Sequence, residues 1–162
     1  MSTFRTAELC DHHTAPGHLQ VLEPLFTFYG ARRAFCGAIT TLKVFEDDAL
    51  VRQVLSEPVT DRVLVIDGGG SHRCALFDAT SARQACDHGW QGLVIYGCIR
   101  DRALIDQLPL GVLALHTHPF PAHQRGHGER DILLTFAGVN FKKDHYLYAD
   151  ADGVIVSGEM LR

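Results

Sequence analysis

Arg62-Val63-Leu64-Val65-Ile66-Asp67-Gly68-Gly69-Gly70-Ser71 sets an unbroken apolar run between charged residues and then a glycine turn. That is the pattern of a short strand buried on both faces of a sheet. Leu93-Val94-Ile95-Tyr96 repeats it. Between the two, residues 75–88 have a helix-compatible composition, and Gly89 stands where a left-handed cap would end that helix. Strand, glycine turn, helix and strand within about thirty residues make a βαβ unit with a parallel pair. The reading is an α/β fold with this unit at its centre.

Working outward, Thr6-Ala7-Glu8-Leu9-Cys10-Asp11 predicts a short peripheral helix that ends near Pro16-Gly17. Residues 21–28 and 38–45 are rich in β-branched and aromatic side chains and predict two strands. Asp47 is placed to cap a helix whose Leu50, Val51, Val54 and Leu55 recur at helical spacing until Pro58. Beyond the central unit, a short helix is expected over 101–108 and a strand over 112–116. A polar Pro/His/Gly-rich connection then covers 119–128. Short strands follow at 132–136, 139–141, 146–148 and 154–156. No repeat or second unit interrupts this order, so a single domain over 1–162 is expected.

The hydrophobic share of 46% and charged share of 21% are those of a globular protein and exclude disordered and collagen-like classes. A net charge of −4 offers no general attraction to a phosphate backbone, which argues against direct binding of nucleic acid. The 5 cysteines are scattered without a C-x-x-C pair and read as reduced thiols. No apolar stretch approaches the roughly 18 residues of a membrane span, and no signal-peptide pattern opens the chain, so a cytoplasmic address is expected.

Four features are candidates for chemistry. Asp67-Gly68-Gly69-Gly70-Ser71 lets the backbone approach an anion, or else makes a tight structural turn; its spacing matches neither G-x-G-x-x-G nor a phosphate loop. Arg100-Asp101 lies at the end of a parallel strand, where α/β proteins place ligands. There Asp101 is a hard oxygen donor for Mg²⁺ or Mn²⁺ and Arg100 a two-pronged carboxylate clamp, although a surface ion pair or a helix cap uses the same dipeptide. His116, His118, His123 and His127, with Glu129, have imidazoles at short spacing, but Pro119 and Pro121 prevent a shared helical face, so a solvated loop is the first reading and metal ligation the second. Cys10 beside His12 and His13 lacks the orienting third group of a nucleophile pair.

Taken together, T-A-E-L-C-D at 6–11, V-L-E-P-L-F at 21–26, F-E-D-D at 45–48, R-V-L-V-I-D-G-G-G-S at 62–71, G-L-V-I-Y-G-C-I-R-D at 92–101 and Y-A-D-A-D-G at 148–153 resemble the family of the regulator of ribonuclease activity A and its aldolase relatives. The resemblance spans nearly the whole chain. It implies a swivelling β/β/α fold assembled as a ring-shaped homotrimer with ligand sites between subunits. It also implies one of two functions. The first is a divalent-metal-dependent lyase that cleaves 4-hydroxy-4-methyl-2-oxoglutarate to pyruvate and decarboxylates oxaloacetate. The second is a non-catalytic regulator that binds and inhibits the endoribonuclease RNase E.

The lyase pattern implied by the resemblance is an Asp, twenty residues, Arg-Asp, and a further carboxylate three positions on. Arg100 and Asp101 match the pair, as catalytic residues with Asp101 on the metal and Arg100 on the 2-oxo acid, while Asp78, Ala79, Thr80 and Ser81 fall on the substrate-binding turn. Ala79 and Leu104 stand where the pattern has carboxylates. Asp78 is one place early, and a one-residue step of about 100° on a helix would point it elsewhere.

Overall fold

The computed structural model describes residues 3–161. In chain order the elements are α1 (Thr6–His12), β1 (Gln20–Val21), β2 (Thr27–Tyr29), β3 (Phe35–Lys43), α2 (Ala49–Leu55), β4 (Arg62–Asp67), β5 (Ala75–Phe77) and α3 (Ala79–Asp87). They continue with β6 (Trp90–Ile99), α4 (Arg102–Ile105), β7 (Gly111–Thr117), β8 (Glu129–Arg130), β9 (Leu134–Phe136), β10 (Val139–Phe141), β11 (Tyr146–Asp150) and β12 (Gly153–Ser157).

The main sheet runs β1-β12-β11-β3-β4-β6-β7-β2, with β5 added to β6 and β8 to β3. Strands β3, β4, β6 and β7 are mutually parallel, and antiparallel strands extend the sheet on both sides. The expected parallel pair is therefore present, with Leu64 opposite Leu93 and Val65 opposite Val94. Both faces of these strands are buried. Leu64, Ile66, Leu93 and Ile95 pack with Val51, Val54 and Leu55 of α2 and Ala82 and Ala85 of α3. Val63, Val65 and Val94 pack on the other side against Phe136, Val139 and Phe141 of the β9-β10 hairpin. Hairpin, sheet and helices thus form the three layers of a swivelling β/β/α fold, and α1 covers Tyr148 and Ile155 at one edge.

Phe35 explains two glycines at the centre. Its ring, fully buried, lies over Gly92 and Gly111, and a β-carbon at either would come within 2.4 Å of a Phe35 ring carbon.

Three expectations change. The strand expected over 21–28 splits into β1 and β2 around Pro24, which has no amide for a ladder. The helix expected over 75–88 begins at Ala79, because Ala75–Phe77 pairs with β6 as a parallel strand. That segment is buried at all three positions, so sheet pairing overrides its modest helical preference. Asp47 bonds the Ala49 amide at 3.1 Å as a cap would, but Asp48 is the residue flanking α2, and most of the Asp47 carboxylate is used elsewhere.

Candidate active site at the carboxyl end of the central strands

Arg100 follows directly on β6, and its amide donates to Phe77 O at 3.0 Å, which ties the end of the central strand to the end of β5. Asp101 then takes a left-handed conformation, φ 61° and ψ 37°. Asp tolerates this region better than most side chains, and outliers of this kind gather at functional sites. The turn directs the carboxylate back across the gap, where Oδ2 accepts the Ala79 amide at 3.0 Å. Asp101 is exposed, and Arg100 is half-buried.

Asp78 departs from its expected direction. It is the N-cap of α3 with extended backbone, φ −137° and ψ −177°, so the helical 100° step does not apply to it. Its Oδ1 accepts the Ser81 amide at 2.9 Å, and its Oδ2 accepts Arg52 Nη2 at 2.6 Å and lies 3.8 Å from Arg100 Nη2. The structure therefore brings Asp78 to Arg100. Ala79 and Ser81 are buried, and Thr80 is exposed beside Asp78.

Arg52 lies in no sequence motif, and Asp48 enters only as the last residue of F-E-D-D at 45–48. Arg52 Nη2 also donates to Asp48 Oδ2 at 3.2 Å, so Asp48, Arg52, Asp78 and Arg100 form a chain of alternating charge from α2 to the end of β6. The signal in the sequence is an acid at the head of the helix four residues before an arginine. Burial raises the Asp78 carboxyl, but the Ser81 amide and the Arg52 guanidinium outweigh it and hold the group below the ordinary carboxylate range. Asp48 goes the other way, because burial dominates over Arg52 and nearby Asp78 adds to the rise.

The glycine turn is not an open anion cradle. Gly68 and Gly70 donate to Tyr96 O at 3.0 and 3.1 Å, Gly69 donates to Asp67 Oδ1 at 2.9 Å, and Ser71 donates to Gly68 O at 3.4 Å. All four amides are engaged, two within the turn and two with β6. The histidine-rich connection is strapped across the same end of the sheet: Ala75 donates to Phe120 O, His123 donates to Glu46 O and Asp48 donates to His123 O. Its apex is held by Asp47, buried to 2% exposure, which accepts the amides of Arg125 at 2.8 Å, Gly126 at 3.1 Å and His127 at 3.5 Å. Its imidazoles are not gathered. Among the described residues no group of three or more His, Cys, Asp or Glu is arranged to hold a metal ion, and Cys10 is a free thiol.

Two concavities, of about 560 and 930 Å³, lie at the amino ends of the strands, lined by Arg32, Ala34, Gly37 and Asp61 among others, away from Arg100.

The model of the RraA-like family, described as Aldolase/RraA, matches residues 6–156. The chain belongs to the RraA-like family. A relative from Methylococcus capsulatus is 57% identical over 98% of both chains, and one from Aromatoleum aromaticum is 49% identical over the same shares. Both are provisionally named 4-hydroxy-4-methyl-2-oxoglutarate aldolases. Among solved structures, an S-adenosylmethionine:2-dimethylmenaquinone methyltransferase from Geobacillus kaustophilus superposes with a TM-score of 0.93 at 45% identity, covering 97% of this chain and 96% of that one. The RNA-processing inhibitor RraA from Thermus thermophilis gives 0.92 at 39% identity, covering 98% and 94%. Three named activities thus share the RraA-like fold, and the site has to decide among them. Among the described residues no helix is long and apolar enough to cross a membrane.

Proposed function

We propose that this RraA-like chain is a divalent-metal-dependent carbon-carbon lyase that cleaves 4-hydroxy-4-methyl-2-oxoglutarate to two pyruvates and decarboxylates oxaloacetate as a side reaction. The observation that carries this reading is the Arg100-Asp101 pair: an exposed carboxylate aimed by a left-handed turn beside a guanidinium that is only loosely engaged.

The donor set suits Mg²⁺ or Mn²⁺. Asp101 is one hard oxygen donor, and magnesium is commonly held by one or two carboxylates with several waters, whereas a structural zinc needs four protein ligands. A cation held by Asp101 would supply Lewis-acid polarisation of the 2-oxo group. Arg100 binds and orients the substrate carboxylate through two parallel N–H donors. Thr80, exposed at the start of α3, lines the turn with Asp78 and the buried Ala79 and Ser81. As the C3–C4 bond breaks, its electron pair passes into the 2-oxo group as an enolate, the C4 hydroxyl gives its proton to water, and a proton from water returns to C3 to complete the second pyruvate. Ala79 offers no side-chain group to take the hydroxyl proton, and losing such a group typically costs about 10² to 10⁴ in rate, so slow turnover is expected.

Leu104, in the short helix that Asp101 begins, and Phe120, next to the Pro119 that Arg100 touches, are 47% and 66% exposed, which supports closure of the site by a neighbouring subunit in a homotrimer. The same reading takes the protein as cytoplasmic, with a small 2-oxo acid as its ligand and no nucleic acid or membrane partner.

Pyruvate release from both substrates with Mg²⁺ or Mn²⁺ against EDTA, corrected for metal-only decarboxylation, tests it with Arg100→Ala alongside. Metal-dependent turnover lost in the variant is the expected result, and none above the metal blank overturns it. Ala79 and the exposed apolar Leu104, where the lyase pattern has carboxylates, favour a second reading as a protein-binding regulator of RNase E. Absence of a complex with RNase E at micromolar concentration would exclude that reading.

A further inference from the structure

One oxygen of Asp78 faces two guanidiniums unequally: Arg52 Nη2 stands 2.6 Å from Oδ2 and Arg100 Nη2 stands 3.8 Å from it. Resting on the functional reading above, we infer that Arg52 is a positioning residue that occupies Asp78 and thereby keeps Arg100 available for an anionic substrate.

The competition follows from geometry. Asp78 is buried, with its Oδ1 committed to the Ser81 amide, so Oδ2 is the oxygen left to seek a cation. A buried carboxylate without a partner is costly, and the attraction of the nearest cation grows as solvent is excluded. Two cations are within reach. Arg52 is held to the task from both ends, because Asp48 Oδ2 takes the same Nη2 at 3.2 Å and the buried Val51, Val54 and Leu55 fix its helix. Arg100 has looser ties: its Nη1 donates to Pro119 O at 3.4 Å, and its approach to Asp78 is beyond hydrogen-bond distance. With Arg52 present, the charge of Asp78 is met and the fork of Arg100 can close on a substrate carboxylate. Without it, Asp78 and Arg100 pair with each other, and the substrate must break that pair to bind.

The test is calorimetric titration of pyruvate, with Mg²⁺ present, into the full-length protein and its variants. Arg52→Gln is expected to weaken binding by roughly tenfold or more, and in turnover to raise KM by more than it lowers kcat. Asp78→Asn added to Arg52→Gln should recover most of the lost affinity, since Asn still caps α3 but no longer competes for Arg100. A purely structural role for Arg52 predicts the opposite, a double variant no better than the single. Arg52→Lys keeps the charge but spans two carboxylates poorly, so it should fall in between, and it carries the test alone if Arg52→Gln does not fold. Binding by Arg52→Gln or Arg52→Lys as tight as the native protein's, or no recovery in the double variant, overturns the inference while leaving the lyase reading standing. Native binding no tighter than that of Arg100→Gln overturns the lyase reading and this inference with it.

Discussion

The backbone amide of Ala79 donates to Oδ2 of Asp101 at 3.0 Å, so the residue that stands where the lyase pattern carries a carboxylate still touches the proposed metal ligand, through its main chain. The contact ties the start of α3 to the turn after β6 and leaves the orientation of Asp101 independent of the side chain at 79. Asp101→Ala should therefore abolish metal-dependent pyruvate release, with a stability loss of only about 1–2 kcal/mol from the missing hydrogen bond and the strain of a left-handed alanine. Turnover and urea denaturation on the same preparation check this, and undiminished turnover would remove Asp101 from the site.

Asp47 supplies a pH-dependent prediction. Burial pushes its carboxyl up, but the amides of Ala49, Arg125, Gly126 and His127 outweigh that and hold it below the ordinary value. With the folded value depressed, the stabilisation is complete above the unfolded value of about 3.9 and is lost as pH falls through the folded one. Asp47→Asn should cost about 1–3 kcal/mol at neutral pH. The gap between variant and native protein should narrow below about pH 4, as read from urea midpoints across pH; a constant gap would contradict the assignment.

Phe35 offers a packing test that separates two glycines. Gly92→Ala meets Phe35 carbons alone among its nearest neighbours, whereas Gly111→Ala also meets Arg32 O at 2.7 Å. Each should destabilise by about 1–3 kcal/mol. In double-mutant cycles Phe35→Leu should relieve much of the Gly92→Ala cost and little of the Gly111→Ala cost, because a side chain can be trimmed and a carbonyl cannot. Equal relief would show that the Arg32 carbonyl is not what limits a β-carbon at Gly111.

If Leu104 and Phe120 are covered by a neighbour, light scattering should give about three times the 17.9 kDa chain mass. Phe120→Asp should shift that mass downward and weaken pyruvate binding along with it. A monomeric native protein would contradict the proposed assembly.

The central strands were legible because Val63-Leu64-Val65-Ile66 and Leu93-Val94-Ile95 must be buried on both faces, and only an interior parallel position provides that. Arg100 and Asp101 were legible for the related reason that such strands end where ligands bind. Residues 75–77 were misread because three apolar residues carry no period of their own, and their pairing with β6 is a long-range fact. Asp78 reads as helical for the same reason: a helix start four residues too early turns a cap into an interior position. The pairing of Arg52 with Asp78 is not legible in the sequence, because the partners lie 26 residues apart and periodicity does not register such pairs.

The amide cluster gripped by Asp47 also changes how the connection after β7 behaves as a polymer. Pinned at Phe120, at His123 and again at Arg125 and Gly126, the segment 119–128 is a series of short tethers rather than one long one, and each closes at small entropic cost. Releasing the Asp47 pin would lengthen the free span between the tie at His123 and β8, so a carboxylate at the foot of α2 sets how much slack the end of the connection has.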